Sequence, residues 1–132
     1  VAQNAFSSRE STDLLNGITH PWILRRTAEY ISQCKANGSD IIIFDAPQLF
    51  ESGGEKMCGL VVAVTAPLKI RLSRIMNRDG ITEDEALLRI NAQFDESYYT
   101  SKSEYVIDCS QTLEQVRKQV TEIIAGIRKA GV

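Results

Sequence analysis

The sequence predicts an α/β protein with a mostly parallel sheet and flanking helices. Two short apolar runs, residues 41–44 and 60–64, are rich in β-branched residues, and the first ends in a charge and a proline. Such runs are typical of strands that are buried on both faces of a parallel sheet. Helical patterns alternate with strand patterns along the chain, which is the arrangement of the α/β class.

Length and composition limit the possible classes of protein. The chain has 132 residues, enough for one domain with a core, and its net charge of -2 provides no basic field for nucleic acid or an anionic membrane. No apolar run approaches the roughly 20 residues that a membrane span needs. Cys34, Cys58 and Cys109 lie far apart without metal-ligand spacing. We therefore predict free thiols in a reducing, cytoplasmic compartment, with no nucleic-acid or membrane partner.

The first third of the chain is predicted to be mainly helical. Residues 1–11 have the composition of an irregular lead-in, and residues 13–16 form one helical turn that ends near Gly17. A longer helix follows over residues 22–36 and ends at an Asn-Gly stop signal. The apolar stripe of that helix consists of Ile23, Thr27, Ile31 and Cys34.

A buried strand is predicted over residues 41–45, and a loop over residues 46–59. Asp45 closes the strand in a pattern of four apolar residues and an acid, similar to the one with which P-loop proteins hold Mg²⁺ or a water molecule. A structural role for Asp45, capping a neighbouring backbone group, fits the pattern equally well. The paired glycines of the loop allow mobility or the close approach of a ligand.

The second strand, residues 60–65, leads into a helix over residues 67–78. Arg71, Arg74 and Arg78 stand at i, i+3 and i+7, which puts three guanidinium groups on one face of that helix. Ligands of open α/β sheets bind at the carboxyl ends of the strands, and guanidinium groups match phosphate oxygens. The spacing therefore indicates recognition of a phosphorylated ligand, or else a solvated helix face with intrahelical ion pairs.

A capping box begins the next helix. Thr82 and Glu85 are spaced so that each side chain caps the backbone N–H of the other, which predicts a helix over residues 83–93. Residues 79–94 are interpreted either as a mobile lid over a phosphoryl-transfer site or as a plain helical hairpin. The apolar side of the helix consists of Ala86, Leu87 and Ile90.

The last part of the chain contains one predicted strand and one helix. A polar stretch over residues 94–103 has no predicted element, and residues 104–108 form the third strand. Thr112 and Gln115 form a second capping box, which begins the final helix. Its apolar stripe consists of Leu113, Val116, Val120, Ile123, Ile124 and Ile127.

Other candidate residues carry weaker signals. His20, the only histidine, precedes a proline and has no serine or carboxylate spaced for a triad, so a structural role is favoured. Tyr98, Tyr99 and Tyr105 are able to stack on a base, although an amphipathic surface or interface is the favoured interpretation. Three strands are few for a parallel sheet that is covered on both faces. Because unpaired sheet edges invite pairing, we expect self-association through them.

Four stretches, in collinear order over nearly the whole chain, resemble motifs of the dephospho-CoA kinase family. Two positions depart from those motifs, because Gln48 replaces a leucine and Cys109 replaces the usual asparagine. The four stretches are residues 15–21 (LNGITHP), 44–53 (FDAPQLFESG), 72–93 and 105–120.

The resemblance implies transfer of the γ-phosphate of ATP, with Mg²⁺, to the ribose 3′-hydroxyl of dephospho-CoA by a protein of the P-loop kinase fold. Residues 1–132 would be a partial kinase domain, with residues 12–38 as its helical CoA-side region and residues 79–94 as its lid. By the same resemblance Arg78 would be catalytic, and no residue is assigned as a metal ligand. The nucleotide and its phosphates would be bound by Arg71, Arg74, Asp108 and Cys109, and the acceptor-substrate side would contain His20, Asp45, Pro47 and Glu51.

The family's phosphate loop, G-x-x-x-x-G-K-[ST], does not occur in this sequence. We therefore expect the chain to be the C-terminal two-thirds of a dephospho-CoA kinase, lacking the N-terminal strand and the phosphate loop, and inactive alone. Another P-loop nucleotide or small-molecule kinase and a non-enzymatic, self-associating module are the alternatives.

Overall fold

The computed structural model describes residues 9–130, and the side chains of residues 13–129. The chain divides into two units, Val1–Cys58 and Gly59–Val132. Over the described range, no helix is both long enough and apolar enough to cross a bilayer.

Helix α1, Arg9–Ala36, makes up half of the first unit. It joins two stretches that the sequence predicts as separate, so the predicted stop at Gly17 is wrong. Residues 9–11 of the predicted lead-in are also helical, and residues 1–8 lie outside the described residues. A glycine costs a helix about 1 kcal/mol and an internal proline about 3 kcal/mol. The helix is continuous through Gly17 and Pro21 because its 28 residues supply many backbone hydrogen bonds on both sides.

The end of α1 agrees with the prediction. Gly38 has a φ of 80°, in the left-handed region where glycine is favoured. The N–H groups of Gly38 and Ser39 donate to carbonyls of the last helical turn at 3.0 Å. Of the predicted apolar stripe, Ile23 is 44% exposed and the other three residues are half-buried.

The predicted strand over residues 41–45 is wrong for this structure. Residues 41–46 pair with no strand among the described residues, and Ile43 is 84% exposed. A strand is defined by hydrogen bonds to a neighbouring strand, and the sheet within residues 9–130 has two strands, both in the second unit. Two short elements occupy the predicted loop, helix α2 over Leu49–Ser52 and a 3₁₀ turn over Gly54–Met57.

The second unit contains a parallel pair of strands, as the sequence predicts. Strand β1, Val62–Thr65, lies beside strand β2, Tyr105–Asp108, with Thr65 opposite Asp108. Both strands therefore end at the same edge of the sheet. The α/β class with a parallel sheet is confirmed.

Within the described residues four helices accompany the sheet, and three of them match predicted helices. The polar stretch after residue 93 contains the one that the sequence does not predict. Both capping boxes are present, because the Glu85 and Gln115 N–H groups each donate to a threonine hydroxyl at 3.3 Å. The helices are α3 (Leu68–Asp79), α4 (Glu83–Asn91), α5 (Glu96–Thr100) and α6 (Leu113–Ala130).

The buried apolar side chains of the described region all belong to the second unit. Ala86 and Ile90 come from the predicted apolar side of α4 and are 0% and 8% exposed. Ala63 and Ala66 come from β1 and the segment after it, at 7% and 6% exposure. The second unit therefore has a small core around its sheet and the α3–α4 pair.

Candidate functional site

The turn after β2, residues 108–110, lies at the edge of the sheet where ligands of α/β proteins bind. The Cys109 N–H donates to the Thr65 carbonyl at 2.8 Å and extends the ladder beyond the strands. The Arg74 guanidinium, from α3, donates to the Cys109 carbonyl at 2.7 Å. The structure thus brings together two of the predicted site residues, Arg74 and Cys109, at the predicted edge.

The Asp108 carboxylate organises this turn from within. It accepts hydrogen bonds from the Ser110 hydroxyl and the Ser110 N–H, both at 2.8 Å, and from the Gln111 amide at 3.3 Å. An aspartate that bonds the backbone two residues ahead is a common turn former. These hydrogen bonds lower the pKa of Asp108, because they stabilise its charged form. The bond from the Ser110 hydroxyl has the largest effect, followed by those from the Ser110 N–H and Gln111.

Gln119 of α6 holds the backbone of the same residue. Its Oε1 accepts from the Asp108 N–H at 3.0 Å, and its Nε2 donates to the Asp108 carbonyl at 3.2 Å. Sequence reasoning missed Gln119. The available signal was its spacing, since Gln119 stands three residues after Val116 and four before Ile123 of the apolar stripe.

Arg78 ends α3 beside an ion-pair cluster. Its Nε and Nη2 donate to the two carboxylate oxygens of Asp79 at 2.7 and 3.0 Å, and Arg89 of α4 bonds to the same carboxylate. The Arg78 hydrogen bond is the largest cause that lowers the pKa of Asp79, and the pKa of Arg78 is raised in return. These pairs agree with the solvated-face interpretation, yet the Arg78 side chain is 73% exposed and accessible. The Asp79–Arg89 pair was not predicted.

Arg71 is half-buried, and its Nε has no hydrogen-bond partner among the described residues. The three arginines of α3 therefore have different surroundings: one is half-buried, one bonds to the turn after β2, and one pairs with its neighbour.

The predicted tyrosine pair forms an aromatic cluster on the second unit. The Tyr98 ring lies 4.3 Å from the Phe94 ring and 5.7 Å from the Tyr99 ring, between centroids. Contacts between these rings hold the cluster together, and the two interpretations of the tyrosines stay predictions.

Two acceptor-side regions of the first unit meet. His20 Nε2 of α1 lies 3.2 Å from Gln48 Oε1, in the turn that contains Pro47 and precedes α2. Glu51 follows within α2. The hydrogen bond joins residues 28 apart in the chain, and it brings His20 to the loop with which the sequence groups it.

Asp45 is two residues before Pro47 in the first unit. It lines an open groove of ≈ 450 Å³ between α1 and residues 42–45, together with Thr27, Tyr30 and Phe44. His20, Pro47 and Glu51 do not line this groove. Of the four acceptor-side candidates, Asp45 alone lines this groove.

The cysteines are free thiols, as predicted. The pKa of Cys58 is raised mainly by burial of the thiol and, to a smaller extent, by the nearby charge of Glu55. Within the described part of the chain, no three His, Cys, Asp or Glu side chains cluster in a way that could hold a metal ion. Mg²⁺ in nucleotide sites is usually held by one or two carboxylates together with phosphates and waters, so an ion that arrives with ATP does not require such a cluster.

Comparison with known proteins connects this geometry to a family. The model of the family described as dephospho-CoA kinase matches residues 1–115. The chain belongs to the dephospho-CoA kinase family. The dephospho-CoA kinase of Corynebacterium jeikeium is 35% identical over 127 residues, which are 96% of this chain and 66% of that protein. The one from Carboxydothermus hydrogenoformans is 35% identical over 119 residues, 90% of this chain and 58% of that protein.

Solved structures show the same fold. The crystal structure of TT1252 from Thermus thermophilus, at 28% identity, superimposes with a TM-score of 0.78 over 96% of this chain and 64% of that one. The dephospho-CoA kinase of Campylobacter jejuni, at 24% identity, has a TM-score of 0.66 over 99% of this chain and 65% of that one. The fold is therefore that of the P-loop kinases. The chain spans slightly less than two-thirds of the length of these relatives.

In this member of the dephospho-CoA kinase family, both positions that depart from the family motifs have defined surroundings. Gln48 contacts His20, which a leucine cannot do by hydrogen bonding. The N–H and the carbonyl of Cys109 are both bonded through the backbone, so the turn does not depend on the side chain at this position.

Proposed function

We propose that the complete gene product containing this chain is a dephospho-CoA kinase, which uses Mg·ATP to phosphorylate the ribose 3′-hydroxyl of dephospho-CoA. The observation that carries the proposal is the family match over residues 1–115, which includes residues of both units. Mg²⁺ belongs to this proposal as the ion that accompanies ATP in phosphoryl transfer.

On the nucleotide side, we assign Arg71, Arg74, Asp108 and Cys109 to the binding of ATP. Arg74 supports the assignment, because it lies at the carboxyl edge of the sheet and donates one of its five N–H groups to the Cys109 carbonyl. Its other donors are available to phosphate oxygens. The turn over residues 108–110 is held by hydrogen bonds before any ligand binds, which reduces the ordering cost of binding.

Arg78 is proposed as the catalytic arginine, at the start of a lid over residues 79–94. It offers Asp79 a two-point hydrogen bond, which is the geometry that a guanidinium offers to a phosphate. A transferring γ-phosphoryl group carries concentrated negative charge, and a cation placed against it stabilises the transition state. Arg89 keeps Asp79 paired when Arg78 turns to the phosphate.

On the acceptor side, we assign His20, Asp45, Pro47 and Glu51 to dephospho-CoA, within a helical region over residues 12–38. The His20–Gln48 hydrogen bond supports the grouping of α1 with the loop before α2. A half-buried histidine held at 3.2 Å is suited to orient a hydroxyl or phosphate of the substrate.

We further propose cytoplasmic location and self-association. The three free thiols support a reducing compartment. Within the described residues β1 and β2 pair only with each other, so each has one edge without a neighbouring strand, which supports association through those edges. Light scattering at micromolar concentration is expected to show dimers or larger species of this chain, and a clean monomer would contradict the proposal.

The test of the activity uses the complete gene product. We expect ATP-dependent phosphorylation of dephospho-CoA, and Arg78→Ala is expected to lower kcat by about 100-fold or more, the scale for losing a transition-state charge contact. Arg117→Ala, which removes an exposed arginine of α6, is the matched control and should leave kcat unchanged. Phosphorylation of nucleoside monophosphates instead of dephospho-CoA would favour another P-loop kinase. An unchanged kcat in Arg78→Ala would favour the alternative interpretation, in which Arg78 belongs to a solvated helix face.

A further inference from the structure

Asp108 faces the open edge of the sheet. Alternate residues of a strand point their backbone groups to opposite edges. The Tyr105 N–H donates to the carbonyl of Val61, directly before β1, and the Cys109 N–H donates to the Thr65 carbonyl of β1. The N–H and carbonyl of Asp108 therefore point away from β1. Within the described residues the sheet ends at this edge, and no strand satisfies these two groups.

Gln119 satisfies both groups with one side chain. A primary amide has a carbonyl and an N–H₂ group side by side, so it can accept from and donate to a single residue as a neighbouring strand does. The distances of 3.0 and 3.2 Å are ordinary hydrogen-bond distances. Gln119 therefore completes the last rung of β2 from helix α6.

The turn after β2 is thereby held from three directions. Gln119 holds Asp108 from α6, Thr65 of β1 holds the Cys109 N–H, and Arg74 of α3 holds the Cys109 carbonyl. The Asp108 carboxylate is occupied with Ser110 and Gln111. Asp108 thus shapes the turn, and Gln119 determines where Asp108 lies.

We propose that Gln119 is a positioning residue for the nucleotide of this kinase. It fixes the end of β2 so that the turn over residues 108–110 is already in its binding conformation when ATP arrives. The inference rests on the proposed function, which places the nucleotide at this turn. Without Gln119, the N–H and carbonyl of Asp108 hydrogen-bond to water and the turn samples other conformations. ATP binding is then weaker, because part of its free energy is used to order the turn.

Two variants of the complete gene product test the inference. Gln119→Met keeps the approximate length of the side chain and removes both hydrogen bonds. Gln119→Glu keeps the acceptor for the Asp108 N–H and removes the donor. Thr121→Ala, which removes an exposed hydroxyl of the same helix, is the matched control. The measurements are the Kd of ATP by calorimetry, the KM of each substrate, kcat, and the melting temperature.

We expect Gln119→Met to raise the Kd and KM of ATP by about tenfold, the order of effect of one or two ordinary hydrogen bonds. Gln119→Glu should have a smaller effect in the same direction, and it serves as the test if the methionine variant does not fold. The KM of dephospho-CoA and the behaviour of Thr121→Ala should not change. A purely structural role would lower the melting temperature without separating the two substrates.

An unchanged Kd of ATP in both variants overturns the inference, and so does an equal rise in both KM values. The proposed function fails separately, if the wild-type protein binds ATP but does not phosphorylate dephospho-CoA. In that case the Kd of ATP in the two variants still decides the role of Gln119. A wild-type protein that binds no ATP overturns both.

Discussion

The runs IIIFD, residues 41–45, and VAVT, residues 62–65, are both short, apolar and rich in β-branched residues. The second run pairs with β2, and its Ala63 is 7% exposed. The first run has no strand partner among the described residues, and its Ile43 is 84% exposed. Similar composition therefore leads to a strand in one place and an unpaired segment in the other, because a strand needs the backbone of a neighbour.

The same difference separates the two units. The second unit contains the buried apolar residues, both capping boxes and the sheet. The first unit contains a long helix on which Leu14, Ile18 and Trp22 are 68%, 67% and 59% exposed. We therefore expect the described part of the second unit to be the more stable, since stability follows burial and satisfied backbone groups.

The largest expected effect comes from placing a charge in each unit. Ala86→Asp puts a carboxylate at a position that is 0% exposed, and we expect a loss of about 3 kcal/mol in the free energy of unfolding. Ile43→Asp puts the same charge at an exposed position and should change it by less than about 0.5 kcal/mol. Urea unfolding followed by circular dichroism measures both.

A large destabilisation by Ile43→Asp would contradict the predicted difference between the two units. It would mean that residues 41–45 are covered in solution by another copy of the chain. Repeating the measurement at several protein concentrations identifies that cause, because association makes stability depend on concentration.

Amide hydrogen exchange should show the next largest difference. The Cys109 N–H, which bonds to β1 at 2.8 Å, is expected to exchange on the order of 100-fold more slowly than the N–H groups of residues 42–44. The reason is that the first group must wait for the sheet to open. Equal exchange rates in the two segments, measured by NMR, would show that the strand pair is not stable.

Two threonines offer a smaller contrast. Thr82 caps α4, so Thr82→Ala should lower the free energy of unfolding by about 1 kcal/mol. Thr19 lies inside α1, where its hydroxyl donates to the Leu15 carbonyl at 2.9 Å. Because alanine favours a helix interior more than threonine does, Thr19→Ala should raise stability by a few tenths of a kcal/mol, or about 0.5 at most. Thermal melts of the two variants decide whether caps matter more than helix interiors here.

The smallest effect is the dependence of stability on pH. Hydrogen bonds from Thr82 lower the pKa of Glu85, and the bond from the Thr82 N–H has a larger effect than the one from the Thr82 hydroxyl. A carboxyl group whose pKa is lowered by folding stabilises the protein above its unfolded pKa of about 4.3, and this stabilisation disappears as pH falls through the folded value. The melting temperature should therefore be nearly constant from pH 7 to 5 and should fall below about pH 4.

Glu85→Gln provides the control for this measurement. Glutamine retains the capping geometry but does not titrate, so part of the fall at acid pH should disappear. The remainder is expected from Asp79 and Asp108, whose pKa values are also lowered by hydrogen bonds. A melting temperature that rises on acidification would contradict the signs of all three shifts.

Much of the second unit was predictable from local patterns. The capping boxes, the arginine spacing of α3 and the two strands were all predicted within a few residues. The continuous α1 was not predicted, because the hydrogen bonds of a whole helix outweigh the cost of one glycine or proline. The short α5 was not predicted either, because a short polar helix has only weak local sequence signals.

The candidate site was predictable in part. The resemblance identified the turn after β2 and the arginines, while the contacts of Gln119 and Arg89 joined residues 11 and 10 positions apart that no motif connects. The assigned roles at the site remain predictions for the experiments above.

The order of residues by itself determined the family, through motifs spread along the chain. It also determined the end of α1 and the two capping boxes, because these depend on groups no more than about four residues apart. Tertiary structure alone decided which apolar run became a strand, and it decided that Gln119 and Arg74 hold the end of β2. Those outcomes require a partner that is distant in the chain. A hydrogen bond between distant residues forms only when the fold brings both groups together and removes them from water.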